Sequence, residues 1–140
     1  MNENPDDILL HVDEQAWIPL YDGISFKLLR ISEETGTWTV MFRCLAGSSF
    51  APHFHHGPGE FFMVSGRMVY RAGQAVAGDY GYEPLGVFHE ETNFPEDTDI
   101  LFTNHGPIAF VDDEKNVIGI MDYAFVRDKA AEFAAQQAAE

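Results

Sequence analysis

The sequence has little positive charge and only one cysteine. Its 8 lysine and arginine residues are outnumbered by 23 acidic residues, so the net charge is −15. An acidic surface repels phosphate groups, and no basic cluster offsets that repulsion, which makes nucleic acids and anionic membranes poor partners. A single cysteine cannot form an intrachain disulfide, and Cys44 lies in a strand-like run that predicts a small core residue.

Long apolar segments are also missing from the chain. No apolar run of about 18 residues occurs, and the first residues do not show a positively charged segment followed by an apolar one. Transmembrane helices and secretory signal peptides need these features, so we expect a cytoplasmic protein without a membrane partner. The length predicts a single domain over residues 1–140, with enough core to fold without disulfides.

Short strand-like segments separated by turn residues fill the middle of the chain. From Thr37 to Cys44 apolar and polar residues largely alternate, which is typical of a strand with one buried face. Glycine, aspartate and asparagine recur between such segments, where turns need them. Many short strands with frequent turns predict an all-β sandwich or barrel.

The two ends of the chain differ from its middle. Residues 1–14 are mostly polar and predict an N-terminal arm that frays or pairs with a neighbour. Residues 123–140 are rich in alanine and predict a short C-terminal helix with a narrow apolar face from Phe125 to Phe133. Such a helix is marginal alone, so we expect it to dock on the barrel or on a second subunit.

Residues 47–66 concentrate side chains that bind metals. His53 and His55 are two positions apart, and Glu60 follows five positions later. Alternate residues of a strand point to the same side, so both imidazoles can reach one ion at about 2.1 Å. On spacing alone, the alternative is a polar surface turn whose histidines are merely solvated.

The residues after this histidine pair predict a turn and a returning strand. Gly and Pro dominate the run from His56 to Gly59, and both favour turns. We expect Glu60, Phe62 and Val64 to share one face of the returning strand. The carboxylate would then lie beside the histidines, with apolar side chains beneath it.

A second spaced pattern occupies residues 78–93. Its glycines, proline, histidine and asparagine are Gly78, Pro84, Gly86, His89 and Asn93. Together the two stretches resemble the cupin superfamily, whose first signature is a glycine, five residues, HxH, three or four residues and Glu. The second signature is a glycine, five residues, PxG, two residues, His, three residues and Asn. Five residues separate Glu60 from Gly66, where the family more often has six.

Residues 15–123 look like the cupin group that contains 2,4'-dihydroxyacetophenone dioxygenase and the acetylacetone-cleaving dioxygenases. The resemblance implies the cupin fold, a double-stranded β-helix or jelly-roll barrel, here followed by the short C-terminal helix. In those relatives Fe(II) is held by three histidines, sometimes with a carboxylate. O2 then cleaves a carbon–carbon bond beside a carbonyl group.

The resemblance assigns roles to particular residues of this sequence. The implied metal ligands are His53, His55, Glu60 and His89. Fe(II) is the metal we expect most, although imidazoles also suit Zn and Ni, and an added carboxylate tolerates Mn. Independently of the resemblance, the sequence makes Glu60 and Glu83 the catalytic candidates, while the simpler interpretation of the isolated acid Glu83 is a surface residue at a strand end. Apolar and aromatic residues near the two motifs predict a substrate pocket formed by Phe62, Val64, Tyr80, Tyr82 and Phe88, although most aromatic residues in a barrel are core.

The function we expect is Fe(II)-dependent cleavage of a small diketone or hydroxyketone, with that ketone and O2 as the partners. Two alternatives remain open from the residues. One is a non-catalytic, sensor-like cupin that binds a metal or a small molecule, and the other is a metal-dependent isomerase or lyase that needs no O2. Cupin relatives commonly form dimers or tetramers, so we also expect a homodimer or homotetramer.

Overall fold

The computed structural model describes residues 7–140, so the first part of the predicted arm, residues 1–6, lies outside the described residues. A short 3₁₀ turn at Val12–Glu14 is followed by fourteen strands and one helix. The strands are β1 (Ile18–Tyr21), β2 (Ile24–Ile31), β3 (Trp38–Cys44), β4 (Ser49–Phe50), β5 (His53–His55), β6 (Gly59–Ser65), β7 (Arg67–Tyr70), β8 (Gly73–Val76), β9 (Tyr80–Glu83), β10 (Phe88–His89), β11 (Thr92–Asn93), β12 (Thr98–Asn104), β13 (Ile108–Val111) and β14 (Val117–Met121). The helix, α1, spans Tyr123–Ala139.

The strands form three antiparallel sheets. Six strands pair in the order β1-β2-β3-β12-β6-β9, and the two smaller sheets have the orders β10-β5-β13-β14 and β4-β11-β7-β8. Neighbours such as β12 and β6, or β5 and β13, are distant in sequence, so the sheets are held together by long-range pairing. The predicted all-β class with a short C-terminal helix is confirmed.

The core lies between the sheets and follows the alternation of the long strands. In β3 every second side chain is buried, from Trp38 to Cys44, and β12 repeats this pattern opposite it. Phe42 makes edge-on contacts with Phe50 and Phe102, at ring-centroid distances of 5.2 and 6.2 Å. Cys44 is fully buried, and this burial raises the pKa of its thiol, so the prediction of a core cysteine is confirmed.

Helix α1, the last element of the chain, packs against the barrel. The side chain of Asp122 accepts a hydrogen bond from the backbone N–H of Phe125 at 2.8 Å, which caps the helix start. Val126 is fully buried, while Phe125 and Phe133 are partly buried against the core. The predicted apolar face therefore covers the barrel of its own chain. No helix within residues 7–140 is long and apolar enough to cross a bilayer.

Strand β6 has the opposite orientation to the predicted one. Phe61 and Met63 are buried, whereas Phe62 and Val64 are exposed, and Glu60 points to the same outer side as these two. The prediction that Glu60 shares the inner face is therefore wrong. The residues from Phe61 to Val64 are all apolar, so their alternation did not show which face is inside. In the structure the odd-numbered residues Gly59, Phe61 and Met63 are the buried ones.

Candidate metal centre

Three histidines meet on the inner face of one small sheet. Strand β5 carries His53 and His55 on the same side, separated by the outward Phe54. Strand β10 pairs with β5 so that His89 lies directly opposite His53. All three side chains are buried, with exposed fractions of 6%, 0% and 3% in chain order. Strand pairing thus joins the histidines of the two sequence motifs.

The imidazole nitrogens are close enough to share one ion. Each histidine offers one ring nitrogen, and these three atoms lie within 4.8 Å of one another. The Nδ1 of His53 lies 2.7 Å from the carbonyl oxygen of Ala51. Because a carbonyl only accepts, this Nδ1 carries the proton and donates, which leaves the Nε2 lone pair free for a metal.

Several buried polar atoms at this point have no hydrogen-bond partner. They are the Nδ1 and Nε2 atoms of His55, the Nε2 atom of His89 and the Oε2 atom of Glu83. The Oε2 of Glu83 lies 2.7 Å from the Nε2 of His55 and 3.7 Å from that of His89, but neither contact has hydrogen-bond geometry. Each buried polar atom left unpaired costs about 1–3 kcal/mol. A divalent cation satisfies such a convergent set of donors, so these residues fit a metal ion.

Burial keeps the imidazoles of His53 and His89 in the form that binds metals. Desolvation lowers the pKa of His53 to about 4, and the hydrogen bond to Ala51 opposes this only in part. Desolvation also lowers the pKa of His89, against the attraction of Glu83. Both rings are therefore neutral near pH 7, and a neutral imidazole is the species that coordinates a cation.

Glu83 reaches the centre because it ends β9. Along this strand Tyr80 and Tyr82 are exposed, and Glu83 is buried, as alternation requires. It pairs in register with Gly59, which has no side chain on the inner face. The structure therefore brings this catalytic candidate to the histidines rather than to the surface.

Glu60 lies elsewhere, on the outer face of the same sheet. One of its carboxylate oxygens accepts a hydrogen bond from the hydroxyl of Tyr80, and the other lies 3.0 Å from the Nε2 of His105. These two contacts, the tyrosine first, lower the pKa of the Glu60 carboxyl. The carboxylate at the histidines thus comes from β9 and not from β6.

A small, largely apolar cavity adjoins the histidines. Its volume is about 30 Å³. Besides His53, His55 and Glu83, its walls are Phe42, Phe50, Met68, Thr92, Phe102, Ile108, Phe110 and Met121. These residues come from strands far apart in sequence, and sequence reasoning did not identify them. The alternation from Thr37 to Cys44 predicted one buried face, which includes Phe42, without relating it to the histidines.

The five residues predicted to line the pocket do not border this cavity. Phe62, Val64, Tyr80 and Tyr82 are exposed on the outer face of the large sheet. Phe88 packs on Phe54, the outward residue of β5, at a ring-centroid distance of 4.7 Å. Successive side chains of a strand point to opposite faces, and each of these residues lies next to one that points inward, so each points outward.

The chain is similar to proteins of known activity. Its residues 5–109 match the profile of the family described as the ChrR cupin-like domain. It is 44% identical over 108 residues to an "Acetylacetone-cleaving enzyme" of Acinetobacter johnsonii. The aligned region covers 73% of this chain and 71% of the relative.

Two solved structures are also similar to this chain. A crystal structure of an acetylacetone dioxygenase from Acinetobacter johnsonii has a TM-score of 0.85 and 34% identity, covering 92% of this chain and 94% of the other. A putative acetylacetone dioxygenase from Methylibium petroleiphilum has the same TM-score and identity, with 91% and 96% of the two chains covered.

Proposed function

The chain belongs to the ChrR cupin-like domain family of the cupin superfamily, and on this basis we propose that it is a dioxygenase that cleaves a small diketone or hydroxyketone beside a carbonyl group. The observation that carries the proposal is the buried group of unpaired donor atoms from His55, His89 and Glu83 in an apolar cavity. The similarity to an acetylacetone-cleaving enzyme supports the substrate class.

The metal we propose is Fe(II), held by His53, His55 and His89. Their ring nitrogens lie within 4.8 Å of one another, and burial keeps two of the rings neutral. Iron in such a site supplies a Lewis acid that can also exchange electrons with O2. Zn and Ni fit the same imidazoles, and Mn fits if Glu83 also coordinates, so the donor set alone does not select the metal.

Glu83 is the proposed catalytic carboxylate. A ketone loses a proton from the carbon next to its carbonyl group when it forms an enolate, and a nearby base must accept that proton. The Oε2 of Glu83 borders the cavity and has no hydrogen-bond partner among the described residues. It is therefore placed to take up the proton of a ketone bound beside the histidines.

The apolar walls complete the proposed site. Phe42, Phe102 and Met121 line the cavity together with the polar atoms and limit the space left for water. Exclusion of water strengthens the interaction of Glu83 with a bound enol and protects reactive species from hydrolysis. An uncharged ketone suits such walls better than a charged metabolite.

Oxygen uptake tests this function directly. We expect Fe(II)-loaded protein to consume O2 with acetylacetone, and the zinc-loaded protein to bind the ketone without turnover, because Zn(II) has no accessible redox change. Equal turnover without O2 would indicate an isomerase or lyase. Binding without any reaction would indicate the sensor-like alternative.

Two glutamate variants sharpen the test. Glu83→Gln removes the proposed base with little change in size, and we expect turnover to fall by about 100-fold or more. Glu60→Gln is the matched control, because Glu60 lies on the outer face, and we expect turnover to be unchanged. Equal losses in both variants would contradict the role of Glu83.

We also propose that the protein forms homodimers or homotetramers. Exposed apolar residues support this, both in the arm at Ile8 and Leu9 and on β14 at Ile120. Sedimentation should show a species heavier than the 15.7 kDa chain at micromolar concentration. A monomer alone would contradict this proposal without affecting the metal centre.

A further inference from the structure

The cavity beside the histidines is small, with a volume of about 30 Å³. A ketone with a bulky substituent needs space beyond it, and this inference rests on the proposed function.

A larger cleft lies directly behind His53. Its volume is about 270 Å³, and its walls are Tyr21, Ser49, Ala51, Phe110, Ile118 and Gly119. Two of these residues also hold His53 in place. Ala51 accepts the hydrogen bond of its Nδ1, and the ring of Phe110 lies 5.4 Å from the imidazole centroid. The cleft and the metal centre are thus separated by one layer of side chains.

Phe110 is the residue that borders both spaces. It lies on β13, in register with His53 on one side and with Gly119 of β14 on the other. Its exposed fraction is 9%, and its ring also makes an edge-on contact with Tyr21 at 6.1 Å. The ring of Phe110 therefore forms part of the wall between the cavity and the cleft.

The side of Phe110 towards β14 is open. A methyl group added at Gly119 would meet no atom within 4 Å, so nothing fills the space above this glycine. Gly119 therefore leaves space beside Phe110 on the side of β14. A turn of the Phe110 side chain into this space would connect the cavity to the cleft.

We propose that the cleft receives the substituent of the ketone that points away from the metal ligands, and that Phe110 sets the largest substituent accepted. The walls formed by Tyr21, Phe110 and Ile118 are apolar or aromatic. They suit an uncharged alkyl or phenyl group. Phe110 is therefore a specificity-determining residue rather than a catalytic one.

Two opposite substitutions test the proposal with acetylacetone and 1-phenyl-1,3-butanedione as probes. Phe110→Ala enlarges the connection, so the ratio of kcat/KM for the phenyl ketone to that for acetylacetone should rise by about tenfold or more. Gly119→Leu fills the cleft, and its backbone does not require a positive φ, so the same ratio should fall by a similar factor. Phe62→Ala, on the outer face, is the control and should leave the ratio unchanged.

Binding supplies a second measurement that does not depend on turnover. Calorimetric titration of zinc-loaded protein with both ketones should show the same shifts in relative affinity. If the wild-type protein binds the ketones without consuming O2, the proposed function fails, while the affinity ratios still test the cleft. If both variants leave both ratios at the wild-type value, or if neither ketone binds, the assignment of the cleft is overturned.

Discussion

Glu60 and Glu83 lie on neighbouring strands of one sheet, but on opposite faces. Glu83 is buried, and its Oε2 lies 2.7 Å from the Nε2 of His55 without a hydrogen-bond partner. Glu60 is half-exposed and bound to Tyr80 and His105. Two carboxylates of the same type thus differ because alternation sends one inward and the other outward. Spacing in the sequence groups candidate ligands, but strand parity decides which of them meet.

The largest expected difference between an inner and an outer residue is in metal binding by two histidine variants. His89→Ala removes one of three buried ring nitrogens, so we expect metal affinity to fall by at least about 100-fold and stoichiometric metal to be lost. His105→Ala, at the outer carboxylate, should retain a full equivalent. Elemental analysis after dialysis measures both, and a full equivalent in the His89 variant would contradict the proposed ligand set.

Two adjacent phenylalanines of β6, one inside and one outside, should also differ in their contribution to the free energy of unfolding. Phe61 is 2% exposed and packs on Tyr70 and Phe102, whereas Phe62 is 45% exposed. We expect Phe61→Ala to lower the free energy of unfolding by about 3–5 kcal/mol. Phe62→Ala should change it by about 0.5 kcal/mol or less. Urea denaturation separates the two, and similar losses would mean that the outer face is covered, for example by a second subunit.

The smallest expected effect concerns the outer carboxylate itself. Tyr80→Phe removes the hydrogen bond that contributes most to the lowered pKa of Glu60, so this pKa should rise towards its ordinary value. A lowered carboxyl pKa stabilises the fold above the unfolded-state pKa, and this stabilisation is lost as pH falls through the folded-state pKa. The variant should therefore lose less stability than the wild type on acidification. NMR titration of the Glu60 carboxyl carbon checks the shift, and an unchanged pKa would contradict it.

Much of the fold was predictable because it depends on local patterns. The turn residues and the alternation in β3 indicated an all-β protein, and the two spaced motifs indicated the cupin fold, which the family match confirms. The motifs also contain His53, His55 and His89. A two-residue spacing places the side chains of His53 and His55 on one face of any strand. The pairing of β10 with β5 then brings these three together.

The orientation of β6 was not predictable from its residues. Apolar side chains occupy both of its faces from Phe61 to Val64, so hydrophobic alternation gives no answer. The decisive feature is the length of the turn before Gly59, and one residue more or less exchanges the two faces.

The cavity walls were not predictable for a different reason. Phe42, Phe102 and Phe110 lie on strands separated by many residues, and only the sheet order brings them to the same place. A single sequence does not contain that order. Residues near a motif in sequence are poor guides to a pocket whose walls come from the whole barrel.

The proposed ion would bind the unpaired nitrogen and oxygen atoms at the histidines only in the folded state, which links metal binding to folding. A ligand that binds only the folded state shifts the folding equilibrium in proportion to the logarithm of its free concentration, by about 2.7 kcal/mol at a hundred times its Kd. Thermal unfolding should therefore depend on metal availability. A shortage of the metal would then lower the stability of the fold as well as the activity.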